Sequence, residues 1–265
     1  MIHNLASVHP DAKIAEDVII EPFAYVSGDV VIGAGTYIHA HASLLDGARI
    51  GENCQIHSGA VIAGVPQDLK FKGEYSLAIV GNNTTVRECA TVNRGSASKG
   101  KTVVGNNCLL MAYSHVAHDC VLGNNIILAN NVSIAGEVEM GDWAIMGGHS
   151  AVHQFCRVGA HAMISGGCMI TKDIPPYTMV GKNPVTYHGL NVIGLRRRGF
   201  TIDDITVIKD VYQNLYFGGR NFTDACNYIK ENFPQSFHRD LIVDFVLSSP
   251  RGIIKSAKEG SSLED

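Results

Sequence analysis

Aliphatic residues return along the first two-thirds of the chain with a period of six. From Ile2 to Ile170, every sixth residue is Ile, Val, Leu or Met at 26 of 29 positions, the exceptions being Asp68, Glu74 and Ser98. These four types make up 72 of the 265 residues, so chance would fill only about 8 of the 29. Four residues after each aliphatic position a second column holds Ala, Cys, Ser, Thr or Val at 25 of 28 positions, from Ala6 to Cys168. Gly often follows the aliphatic residue, as at Gly33, Gly51, Gly105 and Gly123. Neither the period of a strand nor that of a helix gives this spacing. A six-residue unit of one short strand and one turn does, and it is the hexapeptide signature of a parallel β-helix. The aliphatic side chain is expected to point into a prism, with the small residue where its walls crowd. Three units make one coil of 18 residues in this repeat class, about nine coils in all. Coils pair in parallel at about 4.8 Å, and no coil buries its inner face alone.

Residues 63–79 and 93–102 break the pattern but keep its phase. They are expected to project as loops, either as binding elements or as edge caps. After Pro175-Pro176 and Pro184 the period ends and helical spacing begins. A first helix is expected from about Tyr187 to Arg198. A second carries Ile202, Ile205, Ile208, Val211, Tyr212 and Leu215, capped by Thr201 with Asp204 and stopped at Gly218-Gly219. Two more are expected at Thr223–Phe233 and Ser236–Leu247. The chain thus divides into a prism, residues 1–186, and a helical domain, residues 187–265. Arg196-Arg197-Arg198 is either a solvated face or a site for a phosphate or an acidic partner.

Composition narrows the function. Ile and Val outnumber Leu 50 to 15, Gly is high at 28, and charged residues are 17%, against about 25% in an average domain. A net charge of −4 lacks the basic bias of a nucleic-acid binder. No apolar run reaches the ~20 residues of a membrane helix. The start, Met-Ile-His-Asn-Leu-Ala, lacks a basic and an apolar stretch, so no secretory signal is expected. Five of the seven Cys (Cys54, Cys108, Cys120, Cys156, Cys168) fall in the small column, and there is no CxxC pair. They are expected as buried fillers in a reducing, cytoplasmic setting.

Coil arithmetic locates candidate chemistry. Residues 18 apart should stack, so His118, Gly136 and Gln154 form one outward column. It offers a candidate general base beside a candidate oxyanion donor. His115, His118, His149 and His153 have spacings that are weak as metal signals, because their helical rationale fails on coils. No metal or cofactor is expected.

The motifs that fill this frame are specific. They include Gln67-Asp68-Leu69-Lys70, Arg87-Glu88, His115-Val-Ala-His118-Asp119-Cys120, Leu128-Ala-Asn130-Asn131, Ala151-Val-His153-Gln154-Phe155-Cys156, Asp173-Ile-Pro175-Pro176-Tyr177 and Gly194-Leu195-Arg196-Arg197-Arg198-Gly199-Phe200. Over almost its whole length the chain resembles the UDP-N-acetylglucosamine O-acyltransferase family of lipid A biosynthesis. The resemblance implies a left-handed parallel β-helix with a C-terminal α-helical domain, a cytoplasmic homotrimer, and acyl carrier protein and UDP-N-acetylglucosamine as partners. It implies direct transfer of a (3R)-3-hydroxyacyl chain to the sugar 3-hydroxyl, with His118 as general base and the Gly136 amide as oxyanion donor. Asp119 is expected to orient His118, although neighbours on a strand rarely face each other. Asp68 and Lys70 match sugar- and acyl-contacting positions. His115 and Gln154 match the sugar site, and His153 a position near the acyl chain. Asn191, Arg197 and Arg198 match the nucleotide and carrier end. Gly166 matches the position where side-chain size limits acyl length, and a Gly there implies room for a long chain. Asn93 and Glu137 stand where the family often has His, and Ile193 where it has an acidic residue. Other hexapeptide acyl- or acetyltransferases, a γ-type carbonic anhydrase and a non-catalytic solenoid are the alternative readings.

Overall fold

The structure, a computed structural model, describes residues 1–257. The repeat folds into a triangular prism whose three faces are sheets of nine, eight and ten strands. Most strands are only two residues long, as the six-residue unit demands. The first face runs from Ser7–Val8 to Met169–Ile170 and the second from Lys13–Ile14 to Arg157–Val158. The third begins at Ile19–Ile20. Pairing is parallel except at the end of the third face, and away from the inserts and the last coil residues 18 apart sit opposite, as in Val116, Ile134 and Val152. The aliphatic column is the core: Ile38, Leu44, Ile56, Ile62, Val86, Leu110, Leu128 and Ile134 are fully buried. Each such side chain stabilises the fold by roughly 1.5–3 kcal/mol relative to exposure. The small column lines the corners, and its five cysteines are all buried. Burial pushes the Cys120 thiol up to about 12 and that of Cys156 to about 11, which fits inert packing.

Two coils carry extra chain. Val61 pairs with Thr91, 30 residues on, so that coil holds 12 more residues than the repeat needs. Thr91 pairs with His115, 24 residues on, an excess of six. Both excesses are multiples of six, so the numbering keeps its phase. The inserts are shorter than the expected 63–79 and 93–102. Strands Val61–Gly64, Leu77–Val80, Thr91–Asn93 and Lys101–Val104 lengthen into those ranges. Only 65–76 and 94–100 leave the sheets.

The expected helix over 187–198 is strand in its first part and helix in its second. Thr186–Leu190 pairs antiparallel with Thr178–Gly181 and ends the third face. These residues cover a sheet edge that would otherwise be open. Helix α1 is then short, Val192–Arg197, with Asn191 Oδ1 accepting the Gly194 N–H at 3.2 Å as its cap. Helix α2, Ile202–Phe217, starts at a reciprocal Thr201–Asp204 capping box and ends at Gly218. Helices α3, Phe222–Asn232, and α4, Phe237–Leu247, are capped by Asn221 and Ser236. They enclose a second core around Leu195, Val211, Tyr212, Ile229 and Ile242, to which Tyr177 of the prism contributes. A buried latch joins the two parts. The fully buried Asp173 accepts from Arg157 Nε at 3.2 Å and from the Ser249 hydroxyl at 2.7 Å, while Arg157 lies 4.4 Å over the Phe245 ring. Among the described residues no helix is long and apolar enough to cross a membrane.

Candidate active site

The pairing of Ser133 with His115 and with Ala151 stacks His118, Gly136 and Gln154 on successive coils of the first face. The corner turn is continuous there, with the Glu137 N–H donating to the His118 carbonyl and the Phe155 N–H to the Gly136 carbonyl. His118 is 7% exposed, and its ring stands against Gly136 with Cε1 and Nε2 nearest. A Cβ built on Gly136 would fall 2.6 Å from His118 Cε1 and 2.7 Å from Nε2, so only glycine leaves space for the imidazole.

Asp119 faces His118 although it is the next residue. It has a left-handed backbone, φ 61°, which turns its side chain back from the direction a strand would give. His118 Nδ1 lies 2.8 Å from Asp119 Oδ2. Asp119 is fully buried. Burial pushes its carboxyl up, but hydrogen bonds from the Ser96 hydroxyl, His118 and the Ser96 and Lys99 amides outweigh this and hold it below the usual carboxylate range. A carboxylate only accepts, so Nδ1 carries the proton of neutral His118 and Nε2, next to Gly136, keeps the lone pair.

The two inserts flank this corner. A cleft of about 220 Å³ is lined by Asp68, Lys70, Glu74, Ser96, Glu137 and Gln154, among others. Asp68 Oδ1 accepts the Lys70 N–H at 2.9 Å, curling the longer insert at this point. His115 sits on the strand three residues before His118, with Nδ1 2.7 Å from Thr91 Oγ1. Burial, and then His118, lower its pKa, which favours a neutral ring. His153 is exposed and turns Nδ1 to the Gln154 carbonyl at 3.0 Å. Asn93 is buried, and its Oδ1 has no hydrogen-bond partner among the described residues.

Asn191, Arg197 and Arg198 lie elsewhere. They line a cavity of about 800 Å³ against the third face, with Trp143, Ile145, His161, Met163, Met179 and Ile193. Arg198 is held there from two sides, its NH1 3.3 Å from His161 Nδ1 and its guanidinium 5.0 Å over the Trp143 ring. Burial, and then Arg198, push His161 down to about 4, so its ring is neutral and accepts. Gly166 follows the strand Met163–Ile164 on this same face. A Cβ there would stand 3.1 Å from the Gly148 carbonyl oxygen. No residue lines both cavities, so one chain brings the His118 group and the Arg198 group to different faces. Among the described residues no group of three His, Cys, Asp or Glu is arranged to hold a metal ion.

The sequence did not mark Ser96, Glu74, Thr102, Trp143 or His161 as site residues, although Glu74 is one of the breaks in the aliphatic period. Ser96 and Thr102 do fall in the small column. Trp143 and His161 occupy one corner on successive coils, 18 residues apart, a signal that coil arithmetic carries.

A prism of hexapeptide coils with a polar cleft at one corner defines a hexapeptide-repeat transferase. The profile of bacterial transferase hexapeptides (six repeats) matches residues 29–64 and 101–136. That of UDP N-acetylglucosamine O-acyltransferase, domain 2, matches residues 173–254. The chain is 42% identical over 259 residues to an acyl-[acyl-carrier-protein]–UDP-N-acetylglucosamine O-acyltransferase of Burkholderia lata, covering 96% of this chain and 99% of that one. A UDP-N-acetylglucosamine acyltransferase structure from Bacteroides fragilis superposes with a TM-score of 0.95 at 50% identity, over 96% of this chain and 100% of that one. One from Francisella novicida gives 0.94 at 41% identity, with both chains fully covered. The chain belongs to the acyl-[acyl-carrier-protein]–UDP-N-acetylglucosamine O-acyltransferase family. Its fold is the left-handed parallel β-helix with a C-terminal helical domain.

Proposed function

We propose that this protein transfers a (3R)-3-hydroxyacyl chain from acyl carrier protein to the 3-hydroxyl of UDP-N-acetylglucosamine, the first step of lipid A biosynthesis, in the cytoplasm. The observation that carries the reading is the His118–Asp119 pair, with Nε2 free beside the Gly136 backbone, in a chain of this family. His118 Nε2 takes the proton of the sugar hydroxyl as its oxygen bonds to the thioester carbon. The Gly136 amide stabilises the oxyanion. The carbon–sulfur bond then breaks, and the thiolate of the carrier leaves and recovers the proton. No covalent enzyme intermediate forms. Asp119 holds the tautomer, as a buried carboxylate does for a catalytic imidazole.

Asp68, Lys70, His115 and Gln154 contact the sugar and the acyl head, and His153 lies near the acyl chain. Asn191, Arg197 and Arg198 receive the nucleotide and the carrier. The two groups face different ways on one chain, which supports a homotrimer whose sites form between neighbouring copies. Gly166 leaves space for a long acyl chain.

Mass spectrometry of products from mixed hydroxyacyl carrier proteins tests the proposal. The expected product is the 3-O-(3-hydroxyacyl) sugar nucleotide, with His118→Ala at least about 100-fold slower. Turnover with acetyl-coenzyme A and none with acyl carrier proteins would overturn it.

A further inference from the structure

The shorter insert turns its donors onto one carboxylate. The Ser96 N–H lies 3.0 and 3.1 Å from the two Asp119 oxygens. The Ser96 hydroxyl donates to Oδ2 at 2.6 Å, and the Lys99 N–H to Oδ1 at 3.1 Å. The Asp119 N–H in turn donates to Thr102 Oγ1 at 2.8 Å. Asp119 is fully buried, so residues 96–99 supply the donors that water would otherwise provide.

The insert is itself tied to the longer one. Glu74 Oε1 accepts the Ala97 N–H at 2.8 Å, and Oε2 accepts the Lys72 N–H at 2.8 Å. Arg94, at the base of the shorter insert, lies 5.4 Å over the Phe71 ring of the longer. On the far side Lys99 Nζ reaches Glu139 at 3.1 Å. A continuous chain of contacts therefore runs from the segment bearing Asp68 and Lys70, through Glu74, Ala97 and Ser96, to Asp119 and His118.

We propose that Ser96 and Glu74 are positioning residues for acyl transfer: Ser96 fixes the Asp119 carboxylate and through it the imidazole, and Glu74 couples that arrangement to the substrate-facing insert. The proposal rests on reading His118 as the base. The physical ground is geometric. Without the Ser96 hydroxyl, Oδ2 loses its shortest donor, and the Asp119 carboxylate is held only by the Ser96 and Lys99 amides and by His118 itself. The acceptor of Nδ1 is then less firmly placed, and with it the aim of Nε2 at the acceptor hydroxyl. The same hydroxyl accepts the Ser98 N–H at 3.2 Å, so it also closes the turn of the insert, and the imidazole signal is the readout that a role in the turn alone would not move.

Three variants of the full-length protein, Ser96→Ala, Ser96→Thr and Glu74→Ala, test this by steady-state kinetics and by NMR of 15N-histidine-labelled enzyme. The His118 Nδ1 proton is assigned by its loss in His118→Ala. Ser96→Ala is expected to lower kcat about tenfold with the acceptor KM within about twofold, and to move or broaden the Nδ1 proton signal. Ser96→Thr restores both. Glu74→Ala lowers kcat and raises KM together, because it also frees the insert. A Ser96→Ala enzyme with kcat within about twofold of wild type and an unmoved Nδ1 signal would overturn the proposal. So would kinetic losses that follow thermal stability alone in all three variants, with no change in the imidazole. If the wild type transfers no acyl group, the functional reading fails, while the NMR comparison still decides whether Ser96 holds the pair.

Discussion

Gly136→Ala isolates the central contact of the site. The added Cβ would stand 2.6–2.7 Å from the His118 ring atoms, where ordinary contact begins at 3.4 Å. The ring must withdraw by about 0.7 Å, or the coil must shift by as much. The ring has little freedom to do so. Its Nδ1 is tethered to Asp119 at 2.8 Å, and a withdrawal of that size lengthens the bond by up to as much, to at most about 3.5 Å, the limit of hydrogen-bond length. Displacement of this order at a reacting group costs about 100-fold, and disturbance of the neighbouring amide adds up to about another factor of ten. The expected loss in kcat/KM is therefore 10²–10³, about 3–4 kcal/mol. The assay is product formation from acyl carrier protein, with the thermal midpoint recorded alongside. The reasoning also fixes a cycle: with His118→Ala the obstructing ring is gone, so adding Gly136→Ala should cost far less than it does in wild type. A Gly136→Ala enzyme within threefold of wild type, or strictly additive losses in the double variant, would refute the account.

Other expectations follow from the same geometry. His161 is held near 4, against 6.5 when unperturbed, so the folded protein resists a proton that the unfolded chain accepts. Its contribution to stability is whole above about pH 6.5 and declines as pH falls toward 4, by at most about 3 kcal/mol; urea midpoints at pH 7 and 5 should separate wild type from His161→Gln, and parallel pH slopes would count against it. Gly166→Met should shorten the preferred acyl chain, read from product masses with mixed carriers, and an unchanged product distribution would remove Gly166 from the acyl path. Asp173→Ala leaves Arg157 without its buried partner and should cost about 3 kcal/mol, with unfolding beginning in the helical domain by hydrogen exchange; protection there equal to wild type would contradict the latch.

The sequence showed the prism because every coil repeats one chemical demand, an aliphatic residue inward and a small one at the corner. The stacking of His118, Gly136 and Gln154 followed from the same count, and the structure keeps that register. What the period could not reveal lies where local rules compete with it. Asp119 reaches His118 because its backbone is left-handed, a turn that recurs every six residues, as at Asn107, Tyr113, Asn125 and Asn131, but that the hydrophobic pattern does not display. Thr186–Leu190 lacks an autonomous strand pattern and is drawn onto an open sheet edge. The limits of the inserts were overestimated because their flanking strands grow from two residues to as many as four, and long-range pairing decides that length. Arg198 meets Trp143 and His161 across the boundary between repeat and helical domain, where no periodicity runs.

The extra chain in two coils amounts to 12 and six residues, whole numbers of the repeat unit, and this makes the prism a reading frame. Excision of the six-residue excess, or of the twelve, lets the next aliphatic residue meet the same wall, so the downstream coils close as before. Removal of five or seven residues from a regular coil, where no loop can take up the difference, puts each later residue out of phase with the coil before it and turns the aliphatic column toward solvent. Lengthening or shortening of such a solenoid is thus constrained like a coding sequence: in-frame changes are local, and frameshifts propagate.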